Sequence, residues 1–111
     1  MILVYITNPT KKEAQKIAKL LLKERLIACA NIFEIESLYW WEGKIETSKE
    51  FVLIGKTIEK NYNKIKKKIK EIHPYKIPCI LKIKADANTE FLNWVNKEVK
   101  NSVLAPSKYL K

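Results

Sequence analysis

Residues 27–57 read IACANIFEIESLYWWEGKIETSKEFVLIGKT, and the fold turns on them. Ile27, Ile32, Phe33, Ile35, Leu38, Tyr39, Trp40 and Trp41 precede the pair Glu42-Gly43, and a second β-rich run centred on Val52, Leu53 and Ile54 follows it. A Glu-Gly pair between two such runs is a tight-turn signal. The stretch therefore predicts one long hairpin, with strand two over 27–42 and strand three over 44–57. Strict alternation fails between Ile35 and Leu38, which predicts a bulge or bend at that point.

The flanks supply the rest. Ile2 to Thr7 is a short apolar run that fits a central strand, stopped by Asn8-Pro9. Thr10-Lys11-Lys12-Glu13 has capping-box spacing, and Ala14, Ile17, Ala18 and Leu21 follow at helical intervals, predicting a helix over 11–26. Ile58, Tyr62, Ile65, Ile69 and Ile72 mark the apolar face of a second helix, closed by His73-Pro74. Lys60, Lys64, Lys66, Lys67, Lys68 and Lys70 fill its remainder and read as a solvated face, with a lesser pull on polyanions. A fourth strand is expected over 77–85. Asn88 then caps a third helix carrying Phe91, Leu92, Val95 and Val99, and residues 105–111 form a tail.

The order β-α-β-β-α-β predicts an α+β fold, a ferredoxin-like βαββαβ sandwich with a long β2–β3 hairpin and an extra C-terminal helix. Right-handed crossovers give strand order 4-1-3-2 and put Cys29 and Cys79 on opposite sheet edges. The 111 residues support one domain, 1–111. Strand two would extend about 50 Å, whereas the helix that covers it would reach about 24 Å. Tyr39, Trp40 and Trp41 would then project beyond the core and need a partner, most economically further copies of the chain. The alternative is a hairpin folded back at its bulge.

Composition narrows the function. Two glycines leave no Walker A or GxGxxG loop, a single Asp (Asp86) and a single His (His73) leave no easy Ser-His-Asp triad, and no nucleophile–base pair stands at a recognisable spacing, so no catalytic residue is assigned and an enzyme is not expected. Two cysteines make neither a disulfide framework nor a four-cysteine zinc site. No apolar run is long enough for a membrane helix and no signal peptide is read, so a cytoplasmic protein is expected. Net charge is +10, and every basic residue except Arg25 is Lys. That bias suits thermal stability better than base or phosphate reading. An RNA-recognition module shares this strand order, and Tyr5 could stack a base. Strand three lacks the Gly-aromatic opening that such stacking uses, so nucleic acid is disfavoured as a partner.

Ala28-Cys29-Ala30-Asn31-Ile32, Tyr39-x-Trp41-Glu42-Gly43-Lys44-Ile45, Glu50-x-x-Leu53-x-x-Lys56-Thr57, His73-Pro74-Tyr75-x-x-Pro78 and Phe91-Leu92-x-Trp94 together resemble the CutA family of divalent-cation tolerance proteins. The resemblance spans nearly the whole chain. It implies a homotrimer whose hairpins wrap neighbouring subunits, much as in PII-like signalling proteins, and a role in tolerance to copper or other divalent metals. His73, Cys29 and Cys79 are the candidate metal ligands. Trp41, Glu50, Lys56 and Tyr75 are the candidate residues of a cleft between subunits, which could hold a small ligand or a buried ion pair. No tightly bound cofactor is expected, and copper or another divalent ion is the candidate ligand. Ile6 and Ile72 stand where some members carry Cys and His, and Cys79 stands where an acid often follows the second Pro.

Overall fold

β1 (Ile2–Asn8) runs through the middle of a four-stranded antiparallel sheet in the computed structural model, which describes residues 1–99. Its neighbours are β3 (Lys44–Thr57) and β4 (Ile80–Lys84), and β2 (Cys29–Trp41) forms the far edge beside β3. The order β2-β3-β1-β4 is the one expected from two right-handed crossovers. Alternate residues of β1 and β3, namely Ile2, Val4, Ile6 and Leu53, are buried under α1 (Lys11–Lys23) and α2 (Tyr62–Ile72). Ile17, Leu21, Ile65 and Ile69 close that core from the helix side. The fold is the expected ferredoxin-like α+β sandwich, with α3 (Thr89–Glu98) as the extra helix. No helix among the described residues is long and apolar enough to cross a membrane. The tail read at 105–111 lies outside the described residues.

The hairpin pairs without interruption from Cys29 opposite Lys56 to Trp41 opposite Lys44. The bulge expected between Ile35 and Leu38 is therefore absent. Past Ile35 the ribbon leaves the helices behind, so no buried face rewards alternation there, and the broken pattern records a change of surroundings rather than of pairing. Glu42 (φ 50°) and Gly43 (φ 80°) both take left-handed conformations, as a two-residue hairpin turn of mirror type requires. The 13 residues of β2 extend about 43 Å against about 20 Å for the 13 of α1. The described residues span 55 × 27 × 21 Å. The ribbon does not fold back, and Trp40 is 73% exposed.

Thr10 Oγ1 accepts from the Glu13 N–H at 3.0 Å, starting α1 where the capping spacing placed it. The helix ends at Lys23, three residues before the expected Leu26. Arg25 adopts φ 59°, its N–H donates to the Leu22 carbonyl, and the Leu26 N–H reaches back to Leu21 at 2.9 Å. This is a Schellman closure with Arg in the position Gly usually takes. Leu26 then enters the core, and its carbonyl accepts from Thr57 Oγ1 at 2.6 Å and Asn61 Nδ2 at 3.2 Å, all buried. A 3₁₀ turn, Glu59–Asn61, precedes α2, and Ile72 at the far end of the predicted apolar face is exposed. β4 begins at Ile80 rather than 77 because Pro78 offers no N–H to a ladder. Asn88 occupies the N-cap of α3, but its side chain bonds Glu90 at 3.4 Å instead of a helix N–H.

The opposite sheet face is only partly covered. α3 shields one end, where Phe91 lies under Lys56 Nζ at 5.4 Å. The loop 73–79 shields the other. Between and beyond them Phe33, Leu81 and Ile83 are 44%, 48% and 42% exposed.

Candidate functional site

His73-Pro74-Tyr75 organises the second of those two ends. His73 is the last helical cap of α2, and Pro74 holds it extended (φ −73°, ψ 138°), so the chain turns back across the sheet. The Nε2–H of His73 donates to the Thr7 carbonyl at 2.8 Å, and Nδ1 accepts the Tyr75 N–H at 3.0 Å. Both ring nitrogens are thus committed, and the ring fixes the loop against the end of β1. The same turn swings the Tyr75 phenol onto β3, where it donates to Glu50 Oε2 at 2.6 Å. Glu50 is 8% exposed, and no Lys, Arg or His lies within salt-bridge distance of it among the described residues.

Tyr75 and Glu50 line a groove of about 800 Å³ with Tyr5, Thr7, Tyr39, Trp41 and Cys79. Cys79 immediately precedes β4 and comes opposite Thr7 when the β1–β4 register is continued. Burial, then the hydrogen bond to Glu50 and its charge, hold the Tyr75 phenol far above its ordinary value. Burial likewise pushes the Cys79 thiol up, with the Glu50 charge adding and a Thr7 side-chain bond opposing. The groove therefore presents the buried Glu50 carboxylate, the exposed Glu36 and Lys76 at its margin, one thiol and aromatic walls.

Of the four residues expected in one cleft, Trp41, Glu50 and Tyr75 come together here. Lys56 does not join them within one chain. It stands six residues along β3 from Glu50, about 20 Å away, and pairs across the ladder with Cys29. Cys29 and Cys79 sit at opposite sheet edges, as topology predicted, and both are free thiols. No group of three or more His, Cys, Asp or Glu side chains gathers at a metal-binding distance among the described residues. Sequence reasoning missed Thr7, whose carbonyl anchors His73 and which lines the groove with Cys79. Its only signal was a hydroxyl at the end of an otherwise apolar strand. Tyr5, weighed as a base-stacking platform, lines the groove instead.

The family model described as "CutA1 divalent ion tolerance protein" matches residues 2–98. A divalent-cation tolerance protein CutA from Pyrococcus horikoshii is 50% identical over 101 residues, 90% of this chain and 99% of that protein. A crystal structure of CutA1 from the same organism superposes with TM-score 0.88 over 91% of this chain and 100% of that one. A structure from Archaeoglobus fulgidus, described as a periplasmic divalent cation tolerance protein, is 43% identical with TM-score 0.87 over 90% of this chain and all of its own. A protein from Nostoc described as PII-like CutA, 28% identical, has TM-score 0.80 over 86% of this chain and 93% of its own. With the long unbroken hairpin, the His-Pro-Tyr turn seated on Glu50 and a match over nearly its whole length, the chain belongs to the CutA1 family of divalent-ion tolerance proteins.

Proposed function

We propose that the protein is a homotrimer that binds copper or another divalent metal ion where its copies meet and so contributes to metal homeostasis. One observation carries this reading: the sheet face away from α1 and α2, with the overhanging ribbon, leaves large apolar side chains uncovered. Sister chains with matching faces are the cover that closed symmetry supplies. The number three comes from the family resemblance.

The donors suit a borderline or soft ion. Glu50 offers a carboxylate without a cation partner, and Cys79 offers a thiol in the same groove. Cys79 must lose its proton to bind, so affinity rises with pH. Cys29 belongs to the opposite edge, and it reaches Cys79 only by arriving from a neighbouring copy. His73 enters the set only by giving up its bond to Thr7 or to Tyr75. A cytoplasmic location keeps both thiols reduced. The volume and aromatic walls of the groove favour one second reading, a small-ligand signalling trimer of the PII type.

Sedimentation combined with calorimetry of Cu(II), Cu(I) and Zn(II) tests the proposal. The expected species is about 39 kDa, three times the 13.0 kDa chain. Metal binding should weaken at least tenfold in Cys79→Ser and in Cys29→Ser. A stable 13.0 kDa species removes the trimer, and metal binding unchanged in both variants removes the thiol site.

A further inference from the structure

Charge is segregated in this molecule. The two helices and the 3₁₀ turn that leads into α2 carry eleven lysines and three glutamates, whereas the hairpin carries three lysines and five glutamates. On α1, Lys12, Lys16, Lys19 and Lys23 recur at intervals of four, three and four. They form one exposed row opposite the buried Ala14, Ile17, Ala18 and Leu21. Lys60, Lys64 and Lys67 repeat the pattern on the second helical segment, opposite Ile65 and Ile69. Lys68 pairs with Glu24 at 3.4 Å, tying α2 to the end of α1, so the two rows lie on neighbouring helices. None of the seven row lysines has a carboxylate within salt-bridge distance among the described residues.

We propose that these paired rows bind the phosphate backbone of a nucleic-acid duplex without reading its sequence. The spacing fits. Lys12 to Lys23 spans about 16 Å, with a cation every 5 to 6 Å. A duplex presents phosphates densely enough to engage each one. Three features select the duplex. Single strands are held largely by stacking on aromatics. α1 has none, and the one aromatic of α2, Tyr62, is half-buried between Lys66 and Lys82 at 5.3 and 5.1 Å from its ring. Sequence readout favours the bidentate fork of Arg, and the helices carry only Lys. An interfacial membrane helix needs an outward apolar face, and here those faces are sunk into the sheet. This surface is the opposite one from the sheet face that an RNA-recognition module would use. It is also independent of the metal reading.

The test is anisotropy of a labelled mixed-sequence duplex of about 20 base pairs, titrated with the full chain over a range of salt that includes about 0.15 M. The variants are a row triple, Lys16→Gln/Lys19→Gln/Lys64→Gln, and a control triple with equal charge loss, Lys44→Gln/Lys49→Gln/Lys97→Gln. All six are exposed, and thermal melting checks that both variants fold. The row triple should flatten the plot of log affinity against log salt by about 2.7, about 0.9 per lost contact, and weaken binding at least tenfold at about 0.15 M. The control triple should change the slope by less than about 1. Equal losses in both triples would overturn the proposal in favour of bulk charge. Absence of duplex binding at about 0.15 M salt, or equally tight binding of phosphatidylserine vesicles with the same dependence on the row lysines, would also overturn it.

Discussion

The two ends of the hairpin obey different rules. At the open end, Val52 and Leu53 are fully buried and Gly55 fits under Ile27, where an added Cβ would meet Ile27 Cγ2 at 3.0 Å. At the turn end, Trp40, Leu38 and Ile45 are mostly exposed although the backbone ladder is equally regular. The same two strands thus form a core wall for half their length and an unsupported ribbon for the rest. Hydrogen bonding continues along the whole ribbon, while burial ends at the Ile35–Glu50 pair. Ladder regularity is therefore no measure of where a sheet's stabilising energy lies.

Core substitutions should expose this contrast most sharply. Leu53→Ala is expected to cost about 3 kcal/mol in denaturant unfolding, because it opens a cavity under both helices. Trp40→Ala should cost less than about 0.5 kcal/mol in the same experiment on separated chains, since the indole is exposed. Equal effects would mean that the ribbon is packed. Next in size is Thr57→Val, expected to cost about 2 kcal/mol because the Leu26 carbonyl and Asn61 amide lose a buried partner at the core end. In the groove, Tyr75→Phe leaves buried Glu50 without its hydrogen-bond donor and should cost about 1 to 2 kcal/mol.

The phenol also gives a pH signature. A phenol whose folded value is raised contributes stability that is full below about pH 10, the unfolded value, and is lost as pH climbs toward the folded one. Ultraviolet titration should therefore show a tyrosine step well above the ordinary phenol range. Tyr75→Phe should abolish that late step, and a late step that survives would assign it to another ring. The smallest effect is at the surface. Glu98→Gln removes the Arg25 pair, 2.8 Å long but largely solvated, and should change stability by less than about 0.5 kcal/mol.

The legible parts of the fold were those carried by local chemistry. Glu42-Gly43 announced the turn, Thr10 to Glu13 the start of α1, and the isoleucine spacing the body of α2. The end of α1 was hidden because Arg25 occupies a left-handed cap that sequence normally marks with Gly. The missing bulge was a misreading of solvent exposure as geometry. The groove was half legible. His73-Pro74-Tyr75 and Glu50 stood out as motif residues, but their meeting depends on a loop crossing from α2 to the sheet, Tyr75 standing 25 positions after Glu50. The role of Thr7 lies largely in its backbone carbonyl, which no side-chain pattern encodes.

The unbroken pairing from Cys29–Lys56 to Trp41–Lys44 makes the ribbon a ruler graduated in matched steps. Removing Tyr39 and Trp40 together with Ile45 and Glu46 would shorten it by about 7 Å and leave every remaining side chain on its present side. Removing a single residue from one strand would turn everything beyond the cut inside out, or force the very bulge this chain avoids. Changes in the reach of this arm are therefore restricted to symmetrical, even-numbered edits.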